Sequence, residues 1–478
     1  MSATIPRGIG RAIVSALALV SCLVGAPRDA AAHGGIWRAD QILVDPGDPG
    51  HVVLASDSWG AIETLDGGAS WQWVCAEVYD GVSITPVRRS IALLERGALF
   101  MANGFDGLWR SSGSLCSFNH VAFFDDPTLC GGDPCVVSDV ERIPSSATGL
   151  VVLTNRASYN ALYTSNDSGT TWTALPNTIP TTLAAVSVGF APTDASNLYV
   201  AALPSDVSTR VLLHSEDGGN TYATSSTTVD QTIGLPNDVP PLRVDGVSPA
   251  DPNVVFLWLD YTDDTNATTL GPDRIVASFD GGASLVEVFR GTGNLPGFAM
   301  SPDGAAVFVS GPQDGLWSAK VAALRDDPAG AFQRVSAAPT WGLAWTSAGL
   351  LAGRDEYALP PSLRFSLGLS KDLGVSFEPS MIICSVTMKA CPPGTTGAGQ
   401  CPGQFYGELN FQYDFQSPRC ATPDGGVDAG AKGRPAASPS SPLGKQGGCD
   451  VSGCDRDGSW PMIAAVIAVM VTTLRKRR

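Results

Sequence analysis

Five stretches of the chain share one spaced pattern of residues. A Ser or Thr stands two residues before an Asp and a Gly two residues after it, and a second Ser or Thr and a large apolar residue follow the Asp at four and five. The stretches are residues 64–71, 165–172, 215–222, 278–285 and 370–377. A motif that recurs along a chain predicts a fold of repeated units, because each unit buries its apolar surface only against its neighbours.

The aspartate of each stretch is expected to hold a tight turn. These residues are Asp66, Asp167, Asp217, Asp280 and Asp372. An Asp side chain accepts hydrogen bonds from nearby backbone N–H groups, and Gly tolerates the positive φ of a reversal. We call the five stretches the aspartate turns and predict that each closes one β-hairpin, with a structural role for the carboxylate. A calcium loop is the functional alternative, but the stretches lack the alternating carboxylates and closing Glu of an EF-hand.

The spacing of the aspartates predicts seven units. Positions 167, 217 and 280 are 50 and 63 residues apart, which fits one unit per step, whereas the first and last steps, of 101 and 92 residues, are each about two units long. Degenerate copies occupy both gaps, at residues 105–118 and 313–318. Short strand patterns bounded by Pro, Gly, Asp and Asn recur in every unit, which favours four-stranded propeller blades. A series of two-sheet sandwiches is the alternative.

The aspartate turns resemble the Asp-box, or BNR, repeat of sialidases, sortilin-type receptors and many bacterial propellers. The resemblance implies an all-β, seven-bladed propeller of four-stranded blades over residues 33–380, with the turns at the outer corners of the blades. The first and last blades both have enough sequence for all their own strands, so the sequence leaves open how the ring closes. Ile36, Trp37 and Arg38 are candidates for a latch onto the final blade.

The first 32 residues have the features of a secretory signal. Arg7 and Arg11 precede an apolar run over residues 12–25, and Ala30, Ala31 and Ala32 provide small residues before a cut at His33. A transmembrane anchor is the alternative, but the run is shorter than the ~20 apolar residues that span hydrocarbon. Export of the mature chain is therefore expected.

The charge balance argues against a nucleic-acid partner. The chain carries 30 basic and 46 acidic residues, a net charge of −16, and loss of three arginines and one aspartate with the signal makes it −18. Such a field repels phosphate backbones. His33, His51, His120 and His214 show no metal-ligand or catalytic spacing, so neither a metal nor a cofactor is expected.

Ten of the eleven cysteines lie outside the signal. The compartment that receives an exported chain is oxidising, so these cysteines are expected to form disulfides. Cys75 follows the first aspartate turn and Cys116 lies in a degenerate copy of it, so a Cys75–Cys116 disulfide is predicted across the outer edge of adjacent blades. Cys130 and Cys135 are expected to close a short loop. Four further cysteines predict a small cysteine-rich module over residues 381–420, with three possible connectivities; they are Cys384, Cys391, Cys401 and Cys420.

The C-terminal tail is expected to determine localisation. Residues 421–448 have the composition of a disordered linker. Over residues 449–478, Cys449 and Cys454 precede a short apolar run, which is expected to form a short transmembrane helix, and a basic end. This order resembles the MYXO-CTERM sorting signal of myxobacterial exported proteins. The resemblance implies a processing enzyme that acts at Cys449 or Cys454, and delivery to the surface or outer membrane of a Gram-negative cell. A plain C-terminal transmembrane helix is the alternative.

No catalytic constellation emerges from the residues. Arg142, Ile143 and Pro144 match the Arg-Ile-Pro motif of sialidases, but the other sialidase residues have no counterparts here, which favours a chance tripeptide. The expected function is therefore a monomeric, non-catalytic binding or scaffold module for a protein or glycan. The alternative is a glycan-active hydrolase with an unrecognised carboxylate pair, which would require two acids that converge in one cleft beside aromatic residues.

Overall fold

The computed structural model describes eleven segments of the chain, residues 38–56, 60–79, 90–111, 114–132, 135–156, 159–176, 179–204, 210–224, 242–260, 272–356 and 364–404. The chain divides into two units, Met1–Cys420 and Ala421–Arg478, and the described residues all belong to the first. The predicted signal, linker and sorting tail lie outside the described residues, as do Ile36, Trp37, Cys420, Cys449 and Cys454.

The fold is a seven-bladed β-propeller, and each blade is a four-stranded antiparallel sheet in sequence order. The strands of the first four blades are β1 Gln41–Val44, β2 Val52–Ser56, β3 Gly60–Thr64 and β4 Gln72–Val74; β5 Ser90–Leu93, β6 Leu99–Ala102, β7 Leu108–Ser111 and β8 Phe118–His120; β9 Val136–Arg142, β10 Leu150–Arg156, β11 Tyr159–Ser165 and β12 Thr173–Ala174; β13 Leu183–Ala191, β14 Asp194–Pro204, β15 Val211–Ser215 and β16 Ala223–Thr224. Those of the last three are β17 Leu242–Val247, β18 Val255–Leu259, β19 Arg274–Ser278 and β20 Val286–Arg290; β21 Gly297–Met300, β22 Ala306–Gly311, β23 Gly315–Lys320 and β24 Gln333–Ser336; β25 Thr340–Thr346, β26 Gly349–Arg354, β27 Leu367–Ser370 and β28 Glu378–Met381.

The first strand of each blade lies at the axis. Each first strand contacts the first strands of the two neighbouring blades, and β1 contacts β25, so the ring is closed. The second strands lie between neighbouring sheets and are buried on both faces. This burial explains why the second strands are unbroken apolar runs, such as Val255–Leu259, and do not alternate between apolar and polar residues.

The core consists of apolar layers between adjacent blades. One layer joins Phe256 and Val288 of blade five to Val307 and Val309 of blade six, and similar layers join other neighbouring pairs. Each fully buried Val, Leu or Phe contributes about 1.5–3 kcal/mol relative to an exposed one. The blades therefore stabilise one another through many equivalent contacts.

The helices among the described residues are short and lie outside the sheets of the blades. The 3-10 turns are Ala76–Tyr79, Glu95–Gly97, Ala122–Asp125, Pro127–Cys130 and Ile383–Ser385, and the α-helices are α1 Val321–Asp326 and α2 Thr396–Gln404. No helix among the described residues is long and apolar enough to cross a membrane.

All five aspartate turns connect the third strand of a blade to its fourth, at the outer side of the sheet as predicted. The degenerate copy in blade two, after Ser111, occupies the same connection. In blade six, however, residues 313–318 lie at the turn between β22 and β23, and α1 forms the third-to-fourth connection instead. The sequence therefore identified this blade through a different turn.

The cysteine pairing differs from the prediction at the first pair. Cys75 bonds Cys401, and Cys116 bonds Cys391, so the predicted Cys75–Cys116 disulfide is wrong. Both partners come from the chain after the last blade, so the prediction that the four cysteines of the module pair among themselves is also wrong. Cys391 and Cys401 instead fix this part of the chain to blades two and one. Cys130 and Cys135 do pair with each other, and Cys384 is also disulfide-bonded.

Candidate functional site

A cavity of about 260 Å³ lies on the propeller axis, and residues on or beside the first strands of all seven blades line it. Its polar lining is concentrated on two of these strands, β9 and β17. The lining includes Asp40, Ser90, Asp139, Glu141, Ser187, Arg243, Asp245 and Phe298. The axial cavity is therefore mostly acidic, with one guanidinium and one aromatic ring.

Asp139 and Glu141 stand two residues apart on β9, so both side chains lie on the same face of the strand. The Asp139 carboxylate accepts hydrogen bonds from the backbone N–H of Val188 in blade four, at 2.7 Å, and from that of Val140, at 3.0 Å. The bond to Val188 fixes the carboxylate between two blades.

The two carboxyl groups hold their protons more strongly than usual. Burial raises the pKa of Asp139, although Ser90, the Arg243 charge and the Val188 N–H oppose this shift. Burial, with the nearby charge of Asp139, raises the pKa of Glu141 to about 8. Glu141 is therefore largely protonated at neutral pH.

Blades five and one complete the charged lining. Arg243 and Asp245 alternate on β17, and the N–H of Val244 between them donates to the hydroxyl of Ser187 in blade four, at 3.2 Å. At blade one, the Nε of Arg38 lies 2.8 Å from Asp40, and the guanidinium lies 4.0 Å from the ring centre of Trp341 in blade seven. Arg38, one of the three residues predicted to latch onto the final blade, therefore contacts that blade.

The aspartate turns lie away from this cavity and share one hydrogen-bond pattern. In the turn of blade three, Ser165 donates to Asp167 and accepts from the N–H of Gly169, while both the N–H and hydroxyl of Thr171 donate to Asp167. The other four turns repeat these bonds. Every bond closes the turn itself.

These bonds stabilise the ionised carboxylate. Hydrogen bonds from the second hydroxyl residue lower the pKa of Asp66, Asp167 and Asp372 to about 2. The pKa of Asp217 is also lowered, chiefly by bonds from Thr221. At Asp280 burial acts to raise the pKa, but hydrogen bonds from Ser284 and Ser278 outweigh it and lower the pKa. A carboxylate held in this way is a poor general acid, so the turns have the geometry of structural clamps.

The described histidines also have structural surroundings. His51 is buried with its Nδ1 3.3 Å from Asp45, which also accepts from the N–H of Gly97 in blade two. His214 stacks on Tyr199 with ring centres 4.3 Å apart, and His120 lies edge-on to Trp109. No group of three or more His, Cys, Asp or Glu residues that could hold a metal ion occurs within the described segments.

Sequence reasoning missed the axial residues. Asp139 and Glu141, like Arg243 and Asp245, are charged residues at alternate positions of short strands. Two charged residues on one face of a strand normally indicate that this face is exposed to solvent, but here the face lines the axial cavity. Arg142, at the end of β9, is not among the residues that line the cavity.

Comparison with known proteins places the similarity at the level of fold. No protein-family model and no curated protein matches the chain. Among solved structures, it is similar to an ancestral GH74 enzyme (14% identity, 72% of this chain and 49% of that chain, TM-score 0.45) and to YCF48 from Cyanidioschyzon merolae (14%, 65% and 91%, 0.42). A nidogen/laminin complex gives 9% identity over 54% of this chain and 85% of that chain, with a TM-score of 0.32. The chain thus spans about half the length of the GH74 enzyme.

Proposed function

We propose that the protein is a non-catalytic binding module that receives a cationic group of a protein or glycan ligand in its axial cavity. The observation that carries the proposal is the convergence of four acids, Asp40, Asp139, Glu141 and Asp245, around the axial cavity. Among the described residues, Arg243 is the one arginine that lines the cavity, and Arg38 beside it pairs with Asp40. An ammonium or guanidinium group would offset the carboxylate charges that burial makes costly.

The size of the cavity limits what can enter. Sites that enclose a whole small ligand usually measure about 300–1,000 Å³, and this cavity is about 260 Å³. It suits the end of a lysine or arginine side chain, or one amino sugar, and the rest of the ligand would lie on the loops at that face. Phe298 supplies an apolar wall for the methylene groups of such a side chain.

The location that suits this role is the cell surface. We propose that the N-terminal signal exports the chain and that the tail acts as a MYXO-CTERM-like sorting signal, processed at Cys449 or Cys454. The aspartate turns favour membership of the Asp-box, sialidase- and sortilin-like propellers. The net charge of −16 favours a monomer whose partners are not nucleic acids.

Calorimetric titration would test the proposal. The probes are Nα-acetyl-lysine amide and glucosamine, with N-acetylglucosamine as the uncharged comparison. We expect the charged probes alone to bind at pH 6. The affinity of Nα-acetyl-lysine amide, whose ammonium stays charged to pH 9, should rise from pH 6 to pH 9 as Glu141, whose pKa is about 8, ionises. At pH 9, where Glu141 is ionised, Glu141→Gln should weaken binding of Nα-acetyl-lysine amide about tenfold, as loss of a charged hydrogen bond does.

A matched control keeps the result specific. Glu378 is an exposed acid on β28, the fourth strand of blade seven, where it pairs with Lys371. Because the first strand of the blade, and not the fourth, lies at the axis, Glu378→Gln should bind like the wild type. Equal binding of charged and uncharged probes, or equal weakening by both substitutions, would contradict the proposal.

A glycan-active hydrolase is the second candidate, and the raised pKa of Glu141 favours it. A protonated Glu141 could serve as general acid beside the carboxylate of Asp139, which is the division of roles in glycosidases. Release of reducing sugar from a panel of polysaccharides would test this candidate. If Glu141→Gln abolished such release without a change in folding, the protein would be an enzyme and the non-catalytic proposal would fail.

A further inference from the structure

We infer that residues 382–404, which we call the closing segment, bond covalently across the seam between blades seven and one, so that the stability of this seam depends on the oxidation of four cysteines. This inference goes beyond the proposed binding function and does not depend on it.

The seam is not closed by an exchanged strand. Blade one takes β1–β4 from residues 41–74 and blade seven takes β25–β28 from residues 340–381, so each sheet is continuous in sequence. The direct hydrogen bonds across the seam include Gly342 N–H to the Ala39 carbonyl, at 2.8 Å, and the Trp71 ring N–H to the Ser380 carbonyl, at 3.0 Å. A ring joined only through such contacts could open at this seam.

The closing segment crosses the seam as a fifth strand. Its strand β29, Thr387–Met388, pairs in parallel with β4, the outer strand of blade one. The N–H of Thr387 donates to the Trp71 carbonyl at 3.0 Å, and that of Lys389 donates to the Trp73 carbonyl at 2.9 Å. The Nζ of Lys389 also pairs with the buried carboxylate of Glu63 on β3. The segment that leaves blade seven is thereby fixed to blade one.

Two disulfides then secure the segment. Cys401, in α2, bonds Cys75 at the end of β4, and Cys391 bonds Cys116 in the third-to-fourth connection of blade two. The N–H of Gly397 donates to the Cys116 carbonyl at 2.8 Å, so backbone contact accompanies the second bond. The closing segment therefore joins blade seven to both blades one and two.

The positions of these bonds give them a large effect on the ring. They span 326 and 275 residues, so blades two to seven lie inside the first covalent loop and blades three to seven inside the second. Long loops restrict the unfolded chain more than short ones, whereas Cys130–Cys135 spans only 5 residues. Separation of blades one and seven also requires rupture of the core layer that contains Trp71, Met381 and Ile383.

Formation of the bonds needs an oxidant. For each disulfide, two thiols give up two protons and two electrons to a disulfide-bearing oxidant, which leaves as a dithiol. The ring would consequently close fully in a compartment that supplies such a disulfide and stay without its covalent seam in one that keeps thiols reduced.

Variants of the full chain, produced in an oxidising compartment, would test the inference. One variant replaces Cys75, Cys401, Cys116 and Cys391 by Ala, and the matched control replaces Cys130 and Cys135 by Ala. Thermal unfolding and hydrogen exchange of backbone amides are measured on both. We expect the seam variant to unfold at least about 5 °C below the wild type and the control to lie within about 2 °C of it.

Hydrogen exchange identifies where stability is lost. In the seam variant, amides of β4, β28 and β29 should exchange about tenfold faster while those of β14 and β18 keep their protection. If the seam variant does not accumulate, the folded wild type treated with a dithiol reductant should show the same local increase. Unchanged protection at the seam after loss of both bonds, or a loss no greater than in the control, would overturn the inference.

Discussion

At the scale of single residues, the same side chain type is used in two opposite ways. The carboxylates of the aspartate turns accept several hydrogen bonds and lie at the outer edge, so their charged form is favoured. The carboxyl groups of Asp139 and Glu141 lie at the axis, where burial disfavours charge. Position along the blade, rather than residue type, therefore determines which acids are available for chemistry.

The turn carboxylates should make stability depend on acid. Folding lowers the pKa of Asp167 from 3.8 to about 2, so its contribution is complete above pH 4 and is lost as the pH falls towards 2. Asp167→Asn, which imitates the protonated acid, should lower the melting temperature at pH 6, and the difference from the wild type should vanish near pH 2. Melting curves from pH 2 to 7 would measure this.

Asp326→Asn provides the control, because Asp326 is an exposed acid of α1 outside any aspartate turn. Its melting temperature should follow the wild type at every pH. If the melting temperature of Asp167→Asn lay below that of the wild type by the same amount from pH 2 to 7, ionisation of Asp167 would not be the source of its contribution to stability.

Glu141 should give the opposite pH dependence. Its pKa rises from 4.5 to about 8 on folding, so the folded protein holds a proton that the unfolded chain releases, and stability falls as the pH rises through this range. Glu141→Gln, which cannot ionise, should match the wild type near pH 4 and exceed it by on the order of 1–3 kcal/mol at pH 9. Urea unfolding at both pH values would measure the free energies, and a variant that tracks the wild type at pH 9 would refute the raised pKa.

At the scale of elements, the strands and hairpins of a blade could be predicted from the sequence, whereas the connections between strands could not. The run of Val255–Leu259 and the turn at Asp280 both follow from local chemistry, so strands and hairpins could be inferred. Blade six has a helix, α1, where the other repeats have a turn, because nothing in the strand pattern limits the length of an outer connection. The repeat thus predicted the number of blades better than the details of each.

Interfaces between blades should dominate the stability of these elements. Phe308 lies on β22 and is fully buried among residues of blades six and seven, whereas Phe105, in a turn of blade two, is 73% exposed. Phe308→Ala should cost about 3–5 kcal/mol of unfolding free energy, as large-to-small core substitutions do. Phe105→Ala should change it by less than about 0.5 kcal/mol. Similar losses for the two variants in denaturant unfolding would contradict packing between blades as the main source of stability.

At the scale of the whole molecule, the features that sequence could not supply are those that join distant segments. Cys75 and Cys401 are 326 residues apart, and the spacing of cysteines along a chain does not specify which of them meet. The axial cavity likewise gathers Asp139 from β9 and Asp245 from β17, which come together only after the ring has formed. Local patterns therefore predicted the propeller, while its covalent closure and its candidate site required the structure.

The tail should act on the location of the molecule and leave its fold unchanged. The described part of the propeller, with its closing segment, ends at residue 404, and the polar composition of residues 421–448 offers few apolar contacts to the blades. A chain truncated after Gly448 should therefore keep the melting temperature of the full chain but leave the cell surface, because it lacks Cys449, Cys454 and the basic end. Fractionation of cells that express each form, with melting curves of the purified proteins, would measure both effects. Surface retention of the truncated chain would place the anchor elsewhere, and a lowered melting temperature would show that the tail belongs to the folded unit.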